Sequence, residues 1–249
     1  MNQSLPKIAI VGYGSMGKEI EKTALSREFQ ITDIFEIDNP IGEHQKYNYD
    51  VAIDFTFPDS VIENVRKLSL LKKNIVLGTT GWMAHAEAIK KYVNDNGIGL
   101  VYGSNFSVGM NMFFRIVETA SKILNNHPEY DIMLHELHHS RKKDSPSGTA
   151  KTLADIILSN YSMKDNVLEE TSHDKIGNNT LHLTSTRGGD ITGTHTVYID
   201  SKADTIELIH RAKSRRGFAE GALLAAEWIH GKKGYFDFQD VLNDIWGKG

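Results

Sequence analysis

The sequence predicts an α/β chain: a doubly wound parallel sheet, interrupted by an inserted α+β segment with a mixed or antiparallel sheet. Three observations predict it. Short apolar runs alternate with amphipathic stretches over the first hundred residues, and a glycine-rich turn follows the first of those runs. From about Asn105 that alternation gives way to long helical patterns and a set of period-two runs.

Taken in order, KIAIV (7–11), ITDIFEI (31–37), DVAIDFT (50–56), NIVLGTT (74–80) and IGLVYG (98–103) read as buried strands rich in Ile and Val. Helical patterns lie between most of them. In SVIENVRKLSLLKK, Val61, Val65, Leu68 and Leu71 fall on one face, and Pro58 and Asp59 mark the start. Such alternation calls for parallel strands joined by crossover helices. Further on, VGMNMFFRIVETASKIL reads as a long helix, YDIMLHEL at least as well as a strand, and SGTAKTLADIILSN as another helix. TLHLTSTRG, DITGTHTVYID and DTIELIHRAK alternate between Gly and Asp turns, which suggests a mainly antiparallel sheet. FAEGALLAAEWIHGKKG is helical again, with Gly231 and Gly234 as stops. The expected domains are therefore 1–106 with 217–249, and 107–216.

Composition narrows the function classes. The chain has 249 residues, 28 basic against 32 acidic, a formal charge of −4 and a pI near 6.3, which argues against a general nucleic-acid or membrane-surface binder. The basic run RAKSRR (211–216) lacks aromatic interleaving and reads as a solvated face or linker. Without cysteine, disulfides, zinc ribbons and thiol catalysis are excluded. No leader pattern or membrane-length apolar run is present, so a soluble cytoplasmic protein is expected.

IAIVGYGSMGKEI sets Gly12, Gly14 and Gly17 in GxGxxG spacing, directly after a strand and opening a helix. Gly12 permits the turn, Gly14 lets backbone approach a pyrophosphate, and Gly17 allows close helix–strand packing. The second strand ends near Glu36 and Asp38, about twenty residues on, where an acid accepts hydrogen bonds from ribose hydroxyls. No Arg or Lys follows Glu36 closely, so NADH should serve at least as well as NADPH. GTTGW (78–82) and GSNFS (103–107) each end a predicted parallel strand, on the side where such sheets bind ligands.

HELHHSRKKDSPSGTA, from His135, begins with the zinc-protease pattern HExxH. That pattern needs a helix, and on a strand His135 and His139 would stand roughly 13 Å apart, too far to share one zinc. No metal site is expected. An anion site explains more: His139, Arg141, Lys142 and Lys143 form a cationic run, and Ser147, Gly148 and Thr149 open the next helix, whose amides suit a carboxylate. His138 and Lys142 bracket the run as candidate proton donors.

GYGSMGKEI, DVAIDFTFPDS, VLGTTGW, SNFSVGMN, ELHHSRKKDSPSGTA, RGGDITGTHTV and SRRGFAEGA together closely resemble the 4-hydroxy-tetrahydrodipicolinate reductase family of the diaminopimelate and lysine pathway, nearly end to end. The HHSRKKDSPSGTA segment is the specific one. The resemblance implies a Rossmann domain with a substrate domain whose mixed sheets assemble a homotetramer, NADH and/or NADPH as cofactor, and a small dicarboxylate substrate. By position it implies His138 as acid/base catalyst, Lys142 as proton donor, and His139, Gly148 and Thr149 as substrate contacts. Gly12, Tyr13, Gly14, Ser15, Met16 and Gly17 match cofactor contacts, as do Gly78, Thr79, Thr80, Gly103, Ser104, Asn105 and Phe106. Ile37 stands where some members carry an arginine, and the ribose acid is open between Glu36 and Asp38.

Overall fold

The computed structural model describes residues 4–43 and 45–247, in two units: one runs to Val108 and resumes at Arg215, the other is Gly109–Ser214. In the first, β1 (Ile8–Val11), β2 (Ile31–Phe35), β3 (Val51–Asp54), β4 (Asn74–Leu77) and β5 (Gly99–Tyr102) lie within the five apolar runs. With the chain's last strand, β11 (Gly234–Asp237), they form a sheet of order β11-β5-β4-β3-β1-β2 in which every pairing is parallel.

The period of two along each strand divides the core between the sheet's faces. Ile8, Ile10, Ile53 and Val101 pack with helices α1 (Ser15–Ser26), α6 (Arg216–Ile229) and α7 (Phe238–Trp246). Ala9, Val11, Ile75 and Leu77 pack with α2 (Pro58–Leu70) and α3 (Ala86–Asn96). Val61, Val65 and Leu68 are buried on α2 as its periodicity predicts, with Pro58 at its start. Each such burial is worth about 1.5–3 kcal/mol.

Two details differ from the sequence reading. Four of the runs outlast their strands: β2, β3, β4 and β5 end at Phe35, Asp54, Leu77 and Tyr102, and the residues beyond leave the ladder. The C-terminal stretch holds more than a helix. Gly234, at φ +132, opens β11, and Asp237 caps α7 through a capping box with Asp240.

The second unit has α4 (Val108–Leu124, entered from the first unit), β6 (Asp131–His138), α5 (Gly148–Asn160), β7 (Asn166–Leu168), β8 (Thr180–Arg187), β9 (Thr194–Asp200) and β10 (Thr205–Arg211). Its sheet runs β10-β9-β6-β8-β7. Of the expected mixed or antiparallel sheet the mixed form is found, and only the reading of the three later runs as mainly antiparallel is corrected. β9 is antiparallel to β6 and β10, but β8 is parallel to β6 and β7, because the connection through α5 returns the chain to the sheet in the original direction. Phe113 and Val117 of α4 and Leu153 and Ile157 of α5 close over Leu134, Leu183 and Val197 of the strands. Among the described residues, no helix is long and apolar enough to cross a membrane.

Candidate functional site

In the first unit all strands point one way, so the turns after β1 to β5 share one edge of the sheet. That edge is where a doubly wound sheet binds ligands. Gly12 turns the chain there at φ +87, where an added Cβ would lie 2.6 Å from the Phe55 carbonyl oxygen, and a Cβ on Gly17 would lie 2.2 Å from that of Gly12. A Cβ on Gly14 would instead enter open space, the room a pyrophosphate needs beside the α1 N-terminus. Ser15 and Met16 begin α1, and the Tyr13 hydroxyl donates to Glu21.

A cavity of about 480 Å³ opens at this turn, lined by Gly12 to Gly14, Glu36, Ile37, Asp38 and Phe55 to Phe57. Both candidate ribose acids line it, and Ile37 is 90% exposed between them. Lys67 of α2 lines it too, with Nζ 3.7 Å from Glu63 Oε1. Sequence reading near Glu36 missed that cation, because it arrives from another element.

Asp54, fully buried at the end of β3, ties the neighbouring turns together. Oδ1 accepts from Thr56 N (3.0 Å), Thr56 Oγ1 (2.7 Å) and Thr79 Oγ1 (3.1 Å), and Oδ2 from Asn64 Nδ2 (3.0 Å). Burial pushes its carboxyl up against the pull of those donors. The Trp82 indole donates to the Thr79 carbonyl (2.7 Å), so Gly78, Thr79 and Thr80 are held from both sides. Gly103, Ser104 and Asn105 leave β5, and Asn105 Oδ1 accepts from Ser107 N (2.9 Å). Phe106 is buried between Phe55 and Phe238, so its ring belongs to the core.

In the second unit, HELHH does not form the helix that a zincin needs. β6 extends through His138, and His135 Nδ1 pairs with Thr184 Oγ1 (2.7 Å). Glu136 and His138 follow Ile132 and Leu134 on the buried face of the strand. Register sets Ser185 of β8 and His195 of β9 opposite Glu136, and Arg187 opposite His138.

Glu136 is fully enclosed. Oε1 accepts from Ser147 N (2.9 Å), Ser185 Oγ (3.0 Å) and Arg187 Nη2 (2.7 Å); Oε2 accepts from Ser147 Oγ and lies 3.4 Å from both His138 Nδ1 and His195 Nε2. Burial alone would raise its pKa, but His195, Ser147 and Arg187 outweigh it and hold the carboxyl well below the usual range. Ser147 also caps α5, accepting from Ala150 N (3.1 Å). The exposed Gly148 and half-exposed Thr149 form the first helical positions, and the N-terminus of a helix suits a carboxylate.

His138 is 7% exposed. Burial pushes it down to about 4; the carboxylate of Glu136 opposes that shift, while His195, Lys142 and Arg187 add to it. Lys142 Nζ pairs with both oxygens of Asp144 (2.8 and 2.9 Å), and the His139 amide donates to the Ile191 carbonyl (2.8 Å). Sequence reading missed Arg187, Ser185 and His195 as site residues and met Glu136 only as the second position of the HExxH pattern that it set aside. A signal for Glu136 was present: two polar residues in phase with the apolar face of a strand.

The chain is similar to known proteins over most of its length. The family described as "Dihydrodipicolinate reductase, N-terminus" matches residues 6–106, and "Dihydrodipicolinate reductase, C-terminus" matches 109–242. The chain belongs to the dihydrodipicolinate reductase family. Family membership makes it an oxidoreductase. The 4-hydroxy-tetrahydrodipicolinate reductase of Christiangramia forsetii is 38% identical over 241 residues, 96% of this chain and 98% of that relative. The enzyme of that name from Methanosarcina mazei is 36% identical over 239 residues, 94% and 88% of the two chains. Among solved structures, a dipicolinate-bound dihydrodipicolinate reductase from Paenisporosarcina sp. TG-14 shares the fold, with a TM-score of 0.74, 20% identity and coverage of 95% of this chain and 99% of that one.

Proposed function

We propose that the protein reduces 4-hydroxy-tetrahydrodipicolinate, with loss of water, to tetrahydrodipicolinate in lysine and diaminopimelate biosynthesis, using NADH and/or NADPH. The observation that carries the reading is one buried cluster: Glu136 joins His138, a candidate acid, to the capped N-terminus of α5, a candidate carboxylate site. Gly12, Gly14 and Gly17 fit the pyrophosphate, with Glu36 or Asp38 at the ribose. Gly78 to Thr80 and Gly103 to Phe106 complete the proposed cofactor contacts.

A reduced nicotinamide dinucleotide, when bound, supplies the hydride. The residues of the second unit supply the rest. The amides of Gly148 and Thr149, with His139, hold substrate carboxylates. His138 and Lys142 deliver the proton that the reduced ring requires, a contribution of about 10²–10⁴-fold. Unliganded, His138 is neutral near pH 7. A bound dicarboxylate brings negative charge that offsets Lys142 and Arg187, and so favours the imidazolium that donates.

A cytoplasmic homotetramer, with domains at 1–106 with 217–249 and at 107–216, completes the reading; light scattering tests the assembly. The activity test follows NADH oxidation with substrate generated from pyruvate and aspartate semialdehyde by a synthase. Absence of synthase-dependent oxidation of either cofactor refutes the function.

A further inference from the structure

Glu136 touches no proposed ligand, yet three strands and a helix contribute to the cluster around it. Its ligand atom and those of His138 and His195 lie within 4.8 Å of one another, close enough to suggest a shared cation. The carboxylate argues otherwise. Oε1 already holds three donors and Oε2 the Ser147 hydroxyl, against about four acceptor sites on a carboxylate. A metal would also sit beside the Arg187 guanidinium, 2.7 Å from Oε1. The chemistry is that of a carboxylate organising donors.

Around His138 the confinement is specific. A Cβ on Gly193 would lie 3.0 Å from His138 Nε2, and the His195 ring stands edge-on at 5.2 Å between centroids. Glu136 faces Nδ1, 3.4 Å away and not yet hydrogen-bonded, a looseness common at catalytic groups before ligand arrives. Among the charged and titratable groups around the ring, His195 from β9, Arg187 from β8 and Lys142 from the following loop oppose a positive imidazole; Glu136, on its own strand, favours one. From α5 the group at the cluster is Ser147, which is neutral.

We propose that Glu136 is a positioning residue for the reduction: its carboxylate holds the His138 imidazole and the capped N-terminus of α5 in fixed relation, so that carboxylate capture and proton delivery share one support. The proposal rests on the reductase reading, which makes His138 a proton donor. A carboxylate facing Nδ1 keeps a proton on that nitrogen and leaves Nε2 to gain and give the transferred one. Through Ser147, the same carboxylate fixes the start of the helix whose amides receive the substrate.

Glu136→Gln keeps the shape and removes the charge. The expected result is a kcat lowered about tenfold or more and a severalfold higher KM for the dicarboxylate substrate, with NADH affinity unchanged. The His138 ring, followed by NMR, should titrate at lower pH than in the parent. Ser185→Ala removes one donor from Oε1 without changing charge, and should move KM and kcat the same way by less. It also carries the test if Glu136→Gln does not fold. Parental kcat, KM and His138 titration in folded Glu136→Gln would overturn the proposal. So would a loss of activity that only tracks a loss of folded protein, with His138 titrating as before. One Zn²⁺ bound per chain in calorimetry, and lost in His195→Ala, would make the cluster a metal site and equally overturn it. Should the parent fail to turn over, the function falls, and this proposal is then decided by the His138 titration and by whether pyridine-2,6-dicarboxylate binds Glu136→Gln more weakly.

Discussion

Replacing Ser147 by alanine separates two contributions of one hydroxyl. In the folded protein Ser147 Oγ accepts from Ala150 N (3.1 Å) as the α5 cap and donates to Glu136 Oε2. Losing the cap costs about 1 kcal/mol, with a range of roughly 0.5–2. Losing a hydrogen bond to a charged partner costs about 1.5–3 kcal/mol. Glu136 is not orphaned, because Ser147 N, Ser185 and Arg187 still reach Oε1, and the side chain removed is small and buried. The sum, about 2–5 kcal/mol, corresponds to a fall in melting temperature of roughly 4–20 °C for a chain of this size. Thermal melting followed by circular dichroism measures it, with Ser140→Ala as a control at an exposed serine. A fall below about 2 °C, or one matched by the control, would refute the account of Ser147 as a shared cap and carboxylate donor.

Other outcomes follow from the same structure. His138→Gln and Lys142→Ala should each lower kcat roughly a hundredfold while NADH affinity changes little; near-parental turnover in both would remove proton delivery from these residues. NADH should give a kcat/KM at least equal to that with NADPH, given Glu36 and Asp38 in the cavity, and Lys67→Ala should weaken NADPH more than NADH; equal losses would place Lys67 away from the 2′-phosphate. Thr149→Val should weaken pyridine-2,6-dicarboxylate by about 1–3 kcal/mol in calorimetry, and unchanged binding would move the carboxylate site off α5. Because burial lowers His138 to about 4, the unfolded chain takes up a proton that the folded one refuses as pH drops below the ordinary imidazole value of 6.5. Stability falls across that window, so the urea midpoint of His138→Gln should drop less than the parent's between about pH 7 and pH 5. An equal drop would mean that His138 titrates normally in the folded state.

The sequence made the first unit legible because both of its signals are local. Five apolar runs gave five strands, and Gly12 to Gly17 marked the turn where the cavity opens. Strand ends were less legible, since Gly78 and its neighbours continue an apolar run that is no longer a ladder. In the second unit, Ser147, Gly148 and Thr149 could be read as a helix start, and SGTA gave it. Parallel pairing of β6 with β8 could not be read, because period two is the same in either direction. Arg187 and His195 lay hidden for a related reason. They meet Glu136 only through strand register, which joins positions 51 and 59 residues apart in the chain.

The interrupted course of the first unit bears on its birth at the ribosome. α6 packs on β3, β4 and β5 and against α1, supplying Ala219, Ala222, Leu223 and Ala226 to one face of the sheet. Those residues are translated only after the whole of Gly109–Ser214. At about 5–20 residues per second, the face carrying Ile53 and Val101 waits roughly 5–20 s for its cover. Over that interval the nascent chain presents an incomplete layer of apolar strand, without the edge strand β11, while the inserted unit already has all its own elements. Synthesis therefore favours an order in which the segment encoded in the middle matures first and the segment encoded first matures last.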